Sequence, residues 1–554
     1  MSPARAAAAL GALALGACGP PRSDPGPDPG AWFEESAAAR GLDFAHHSGH
    51  DGSFWMPEIM AGGAALLDAD GDGDLDAYLV QGGRLDPARV GTSAHALFEN
   101  RGEGRFARAA GGSATLPGYG MGVAVGDVDE DGDPDLFVTH VGPNALLQNR
   151  GALRLEPVEA GLEDGGWGTS AAFLDAERDG DLDLVVVNYL DWSFAGELPC
   201  LNDLSQRDYC SPKNYRTPAR SLFYVNEGGG RFRDASEASG IGTKRGNGLG
   251  VAVGDVDANG WLDVFVANDG MANHLWKNQD GQRFVEQGLL AGCGVDASGQ
   301  EKAGMGVVLA DLDRDLDLDL LVCNLAGETD SLYLNEQGYF VDRTALSGLA
   351  PVSRPFTRFG VGLHDFDQDG ELDLFEANGR VQAATSPRTS DVYAEENLLF
   401  RGLGAGRFTE VERRGGVREP LVATSRAAAF GDVDGDGAVD VLVVNRDGPA
   451  HLLLNRRPGR GSWVLLAVRE SSGRDALGAT LELALPSGPE RREVASASSY
   501  LASSDPRVHV GLGAARELAR VTVRWVDGVR EVFGPLAAER VHELRRGQGL
   551  PAQD

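Results

Sequence analysis

Aspartates recur in this chain at a spacing suited to holding a hard metal ion. The stretch Asp68-Ala69-Asp70-Gly71-Asp72-Gly73-Asp74-Leu75-Asp76 carries carboxylates at alternate positions, and the pattern returns at Asp127, Asp175, Asp255, Asp311, Asp365 and Asp432. Calcium takes about six to eight oxygen ligands, and a tight loop turns alternate side chains toward one centre. Positions 1, 3, 5 and 9 supply them. In chain order these are Asp68, Asp70, Asp72 and Asp76; Asp127, Asp129, Asp131 and Asp135; Asp175, Glu177, Asp179 and Asp183; Asp255, Asp257, Asn259 and Asp263; Asp311, Asp313, Asp315 and Asp319; Asp365, Asp367, Asp369 and Asp373; and Asp432, Asp434, Asp436 and Asp440. Position 7 is Asp74, Asp133, Asp181, Trp261, Asp317, Glu371 and Ala438, so only its backbone carbonyl is a ligand common to all seven. Up to seven Ca2+ ions are expected. The third loop, with Glu177 as a longer arm, and the fifth, with Leu316 where the others place a turn glycine, are expected to be the weakest.

The elements around these loops read as strands. An EF-hand needs flanking helices and a bidentate Glu at position 12, whereas here the last acid falls at position 9 and β-rich runs follow, such as Leu136-Phe137-Val138 and Leu184-Val185-Val186-Val187. Successive loops start 59, 48, 80, 56, 54 and 67 residues apart, enough for one four-stranded sheet plus connections. A second repeat, Leu97-Phe98-Glu99-Asn100 running to Phe106, returns as Tyr224-Val225-Asn226 to Phe232 and as Leu275-Trp276-Lys277-Asn278 to Phe284, and reads as a structural hairpin. The prediction is an all-β chain with a seven-bladed β-propeller over residues 33–458. Strands at Trp463 to Val468, Ala479 to Leu485 and Val521 to Trp525 predict a small sandwich-like β-domain over 459–546, leaving 547–554 as a tail.

A net charge of −33 and the absence of a Lys/Arg stripe argue against a nucleic-acid partner. At the N-terminus, Arg5 precedes the apolar run Ala6 to Ala17, too short to cross a bilayer and suited to a signal peptide over residues 1–18. Leu15-Gly16-Ala17-Cys18 resembles a bacterial lipobox, which implies lipidation of Cys18 and a Pro/Gly-rich tether over 19–32. Membrane attachment would be by that anchor alone, on an outer-membrane or cell-surface lipoprotein; ordinary cleavage would leave a secreted protein.

Without Cys18, Cys200, Cys210, Cys293 and Cys323 remain, an even number in an exported chain, and three disulfide connectivities are open. Cys200–Cys210 and Cys293–Cys323 are favoured by proximity in sequence, with buried free thiols the alternative for the second pair. The longest inter-loop segment holds Trp192, Arg207, Tyr209, Lys213, Tyr215 and Arg216, a basic and aromatic island in an acidic chain. It is the preferred partner site, with a disulfide-pinned cap over a blade edge as the alternative. His46, His47 and His50 lack spaced partners and are read as solvated or hydrogen-bonded. No His-Glu-x-x-His, Gly-x-Ser-x-Gly or phosphate-cradling motif occurs.

At these loops the chain resembles the FG-GAP/VCBS repeat family, whose propellers, as in integrin α subunits, carry Asp-x-Asp-x-Asp-Gly-x-x-Asp calcium loops. Gly461-Ser462-Trp463, Asp475-Ala476-Leu477-Gly478, Ser503-Ser504-Asp505, Gly511-Leu512-Gly513 and Trp525-Val526-Asp527-Gly528 resemble the ASPIC/UnbV domain. Together they are similar to the cartilage acidic protein family. The resemblance implies fold and metal and no reaction. The leading expectation is a calcium-binding, surface-anchored protein that recognises a protein or a glycan. A calcium-dependent polysaccharide-acting enzyme and a structural envelope component are the other two readings.

Overall fold

The computed structural model describes residues 30–86, 92–110, 115–162 and 164–552; the expected leader and Cys18 lie outside them. Seven antiparallel blades of four strands each form a ring, the sheet of the first being extended to six strands by Ala497–Ser498 and Ala502–Ser503; the innermost blade strands are Ala64–Leu67, Tyr119–Gly126, Gly168–Leu174, Gly248–Gly254, Val307–Ala310, Arg358–His364 and Ser425–Gly431. We number the blades 1 to 7 in that order. Each innermost strand lies against the next, and the seventh lies against the first, so the ring is closed. Closure is sealed by the N-terminal strand Phe33–Glu35, which pairs antiparallel with His451–Asn455 as the outermost strand of blade 7. The Gly-rich runs before the Asp loops now have a reason: a Cβ on Gly306 would sit 1.9 Å from the Phe359 carbonyl oxygen. Neighbouring innermost strands meet that closely.

Apolar residues fill the spaces between blades. Leu136, Val138 and Leu147 of blade 2 pack with Tyr78 and Leu97 of blade 1, and Phe375 and Leu399 of blade 6 pack with Phe430 and Val441 of blade 7. Cover on both faces explains the strand sequences: the second strand of a blade carries a continuous apolar run rather than an alternating one, as in Leu184-Val185-Val186-Val187.

The C-terminal region adds two larger sheets and a two-stranded one that pairs Glu517–Leu518 with Leu536–Ala537. One larger sheet contains Ser462–Arg469 between Val508–Gly513 and, in parallel, Arg540–Arg545; the other runs Gly488–Glu493, Thr480–Leu485, Val521–Arg524, Arg530–Phe533 and Leu550–Pro551. The expectation of a tail from 547 is corrected here: Leu550 pairs with Val532, giving the second sheet its last strand. Val464, Leu481, Val523 and Leu544 form the domain's core, which is continuous with Phe137, Phe173 and Leu184 of blades 2 and 3.

Nor is this domain a separate body. Residues 496–505 enter the centre of the ring and meet the innermost strand of every blade. Ala502 and Ser503 run parallel to Ala64 and Ala65, while the Ser496 and Ser503 hydroxyls bond the backbone of Val125. Leu501 N–H donates to Ser170, and Ser499 exchanges backbone hydrogen bonds with Val307 and accepts from Val361 N–H. Ser504 and Asp505 bond Phe430, and the Ser499 carbonyl lies against Gly250. Tyr500 is fully buried, donating to the Met60 carbonyl at 2.8 Å. Strand edges that would otherwise face an open channel thus receive partners from the C-terminal domain.

Candidate metal centres

Each Asp-rich segment connects the innermost and second strands of its blade, and position 9 is the first residue of the second strand. All seven loops fold alike, with left-handed backbone at two positions. At position 6 φ runs from +75° at Leu316 to +104° at Gly180, and at position 4 from +56° at Ala258 to +78° at Gly71. The sequence exposes only the first of these, because Glu130, Arg178, Ala258, Arg314 and Gln368 occupy position 4 in five loops. Leu316 adopts the conformation that glycine adopts elsewhere, at a steric cost. Its N–H still reaches Asp311, at 3.3 Å.

Backbone amides then aim the carboxylates. At position 1, Oδ2 accepts the N–H of position 6 in every loop, at 2.8–3.3 Å. Position 5 accepts the N–H of position 7 at 2.7–3.1 Å. At position 9 one oxygen accepts the N–H of position 2 and the other an N–H from the third strand. Position 7 side chains turn to neighbours: Glu371 pairs with Arg314 at 2.9 Å and Trp261 lies under the Arg178 guanidinium.

What remains is a set of oxygens with no protein partner. Oδ1 of Asp127 and Asp255 at position 1, Oδ1 of Asp129, Asp313, Asp367 and Asp434 at position 3, and Oε2 of Glu177 are all buried and unpaired. Carboxylate oxygens of Asp127, Asp129 and Asp135 lie within 4.8 Å of one another, as do those of Asp255, Asp257 and Asp263, of Asp68, Asp70 and Asp72, and of Asp311, Asp313 and Asp315. Burial chiefly, then neighbouring acids, holds the position 9 carboxyls above their usual range: Asp76 and Asp135 at about 7 and Asp319 at about 8, with Asp183, Asp263, Asp373 and Asp440 also raised. Buried charge without a counter-charge is strongly unfavourable, and clustered hard oxygens fit a hard divalent cation.

Two features around the loops escape the motif. The first is an asparagine at the end of the third strand. Asn149 gives its backbone N–H to Asp135 and its side-chain amide to the Ala69 carbonyl of the preceding blade's loop. Asn100, Asn226, Asn278, Asn335 and Asn455 do the same toward Val433, Val128, Ala176, Val256 and Phe366. The repeated Asn in the hairpin element was its signal. In blade 6 the residue is Gly402, and the Gly406 N–H takes over the bond to Leu312. The second feature is the C-terminal domain, which lies across the loop face. Arg491 N–H donates to Asp311, and Arg524 pairs with Asp255 at 3.2 Å. A Cβ on Gly511 would lie 1.8 Å from Asp365 Oδ2, and one on Gly437 would strike the Trp463 ring. Over blades 1 and 2 the cover is looser, leaving a cavity of about 390 Å³ lined by Asp68, Asp127, Arg474 and Arg507 among others.

The basic island lies between the second and third strands of blade 3, on the opposite face of the ring. Cys200 and Cys210 are disulfide-bonded. The expected Cys293–Cys323 pairing is corrected: both are free, buried thiols, and Cys323 sits beside Asp330 and Glu376 in the interior. Tyr209 is buried, its hydroxyl bonded to Glu58 and to Arg446, and so anchors the island rather than facing a partner. Trp192 and Tyr215 both donate to Glu197, and Arg207 reaches the Ser53 carbonyl. Lys213 and Arg216 are exposed. Of the histidines, His46 is fully buried with neither ring nitrogen hydrogen-bonded, contrary to the solvated expectation, and burial lowers its pKa to about 3; His50 pairs with Glu58 at 2.7 Å.

Residues 68–138, 127–186, 214–266 and 255–322 match the FG-GAP-like repeat, and residues 469–551 match the ASPIC and UnbV domain. The chain thus carries FG-GAP-like repeats followed by a C-terminal ASPIC and UnbV domain. It is related to cartilage acidic protein 1, being 26% identical to the Mus musculus protein over 545 residues (90% of this chain, 78% of that one) and 27% identical to the Homo sapiens protein over 502 (85% and 70%). Solved structures similar to it include an N-acetylglucosamine-recognising lectin of Agrocybe aegerita (TM-score 0.39, 14% identity, covering 72% of this chain and 92% of that one) and a Bacillus licheniformis rhamnogalacturonan lyase (0.37, 14%, 72% and 71%).

Proposed function

We propose that this chain is an exported calcium-binding propeller that recognises a protein or glycan partner through the face opposite its metal loops. The carrying observation is the repeated loop geometry, in which backbone amides satisfy one oxygen of a carboxylate and leave the other buried and unpaired toward the loop centre. Asp68, Asp70, Asp72 and Asp76, and their counterparts, would hold the ion, with the position 7 carbonyl completing the set. Bound calcium would supply the counter-charge that lets the loops stay closed, and no reaction is assigned to it.

Support for the recognition face comes from the island. Its disulfide and the Tyr209 anchor hold it against the ring, while Leu201, Leu204, Lys213 and Arg216 stand exposed on it. Rigid display of apolar and cationic side chains suits recognition of an acidic or polar surface. Export and lipidation of Cys18 belong to the same proposal. Protein and glycan arrays probed with the full chain test the recognition reading: a hit lost in the double variant Lys213→Ala/Arg216→Ala supports it, and hits unaffected by that variant contradict it.

A further inference from the structure

We infer that the seven loops fall into two electrostatic classes: loops 1, 3 and 5 depend on a bound divalent cation to stay folded, whereas loops 4, 6 and 7 carry resident side-chain cations. The inference rests on the calcium reading above and concerns which loops need the ion.

The cations come from residues flanking the asparagine position on the third strand. Lys277 precedes Asn278, and its Nζ lies 3.2 Å from Asp257 Oδ2; Arg401 precedes Gly402, and its Nε lies 3.0 Å from Asp367 Oδ2. Arg456 follows Asn455 and pairs with Asp434. In each case the cation takes an oxygen of the position 3 carboxylate, and in loops 6 and 7 the other oxygen is the buried, unpaired one. A second cation joins each loop: Arg524 on Asp255, Arg457 on Asp367 at 3.3 Å, and Arg460 on Asp436 at 3.0 Å. These groups are held by further contacts. Lys277 is buried and donates to the Gly338 carbonyl, and Arg457 stacks on the Trp32 ring.

Loops 1, 3 and 5 differ at the same strand positions. Blade 1 has Glu99 there, and Arg101 pairs with it rather than with the loop. Blade 3 has Val225 and Glu227; blade 5 has Leu334 and Glu336. Among the described residues, no lysine or arginine forms an ion pair with a ligand-position carboxylate of these three loops. Loop 2 is intermediate, with Arg150 at 3.8 Å from Asp129.

A fixed cation beside the carboxylates acts in two directions. Without metal it relieves their mutual repulsion; when metal enters it repels the ion. Loops 4, 6 and 7 are therefore the weaker calcium sites and the sturdier empty loops, while loops 1, 3 and 5 bind more tightly and open when stripped. This reverses the expectation from sequence that loops 3 and 5 are the weakest.

Hydrogen–deuterium exchange of the full chain in calcium and in EGTA tests the division. Chelation should speed exchange about tenfold or more in peptides covering 68–76, 175–183 and 311–319, and less than about threefold in those covering 255–263, 365–373 and 432–440. In Lys277→Met and Arg401→Met, loops 4 and 6 should acquire the EGTA response and bind calcium about tenfold more tightly. A uniform response across all loops of the unmodified chain overturns the division while leaving calcium binding intact. No response in any loop, with no calcium retained on dialysis, removes the calcium reading and this inference with it.

Discussion

Loops 1 and 6 carry aspartate at all of positions 1, 3, 5 and 9, yet their surroundings are opposite. Asp68 and Asp70 are half-exposed, Asp68 beside a cavity and Asp70 with Glu99 of the third strand nearby. Asp365 and Asp367 are 2% and 4% exposed, wedged under Gly511 and paired with Arg401 and Arg457. On the calcium proposal, a nine-residue motif sets where a cation would sit, while the third strand and the covering domain would set how much the loop needs it.

Removing the ions should have the largest effect on the contrast between loops 1 and 6. Each calcium held at about 100 times its Kd contributes about 2.7 kcal/mol, so emptying loops 1, 3 and 5 should cost about 8 kcal/mol. Calorimetry in EGTA should show the unfolding midpoint lowered by about 10 °C; an unmoved midpoint would mean that loop 1 needs its ion no more than loop 6 does. Next in size is Tyr500→Ala, which removes the buried ring at the centre of the 496–505 segment that plugs the propeller and should cost about 3–5 kcal/mol in urea denaturation. Because the same domain covers loop 6, proteolysis of that variant should quicken at 365–373 before 68–76.

A smaller, local change sharpens the contrast. Gly511→Ala places a methyl group against Asp365 and should cost about 1–3 kcal/mol while weakening calcium at loop 6 alone, as site-resolved exchange would show. Smallest is Asn149→Ala, which frees the Ala69 carbonyl of loop 1 and should cost about 1–2 kcal/mol. The calcium affinity of loop 1 should fall in that variant, and that of loop 6, whose clamp is Asn455, should not.

Much of this was legible in the sequence. Alternating acids gave the loops, apolar runs such as Leu136-Phe137-Val138 gave the second strands, and their spacing gave a propeller. The disulfide within the blade 3 insertion was also readable, because Cys200 and Cys210 lie ten residues apart. Pairing Cys293 with Cys323 failed because sharing a repeat does not bring two side chains together; Cys323 points into the acid cluster of Asp330 and Glu376. The plug was invisible for a different reason. Ser503-Ser504-Asp505 stands out in the sequence only as a resemblance to the ASPIC/UnbV domain, and its partners Ala64, Val125 and Phe430 are remote in sequence. The resident cations were missed likewise, since Lys277 and Arg401 lie about 20 to 35 residues beyond the acids they meet, on a strand whose register only the fold sets.

Whether the loops hold calcium is read by counting bound ions in equilibrium dialysis of the full chain against calcium from micromolar to millimolar. About seven ions should bind at saturation, filling in two steps with loops 1, 3 and 5 first. Fewer than one ion per chain at millimolar calcium would contradict the calcium proposal.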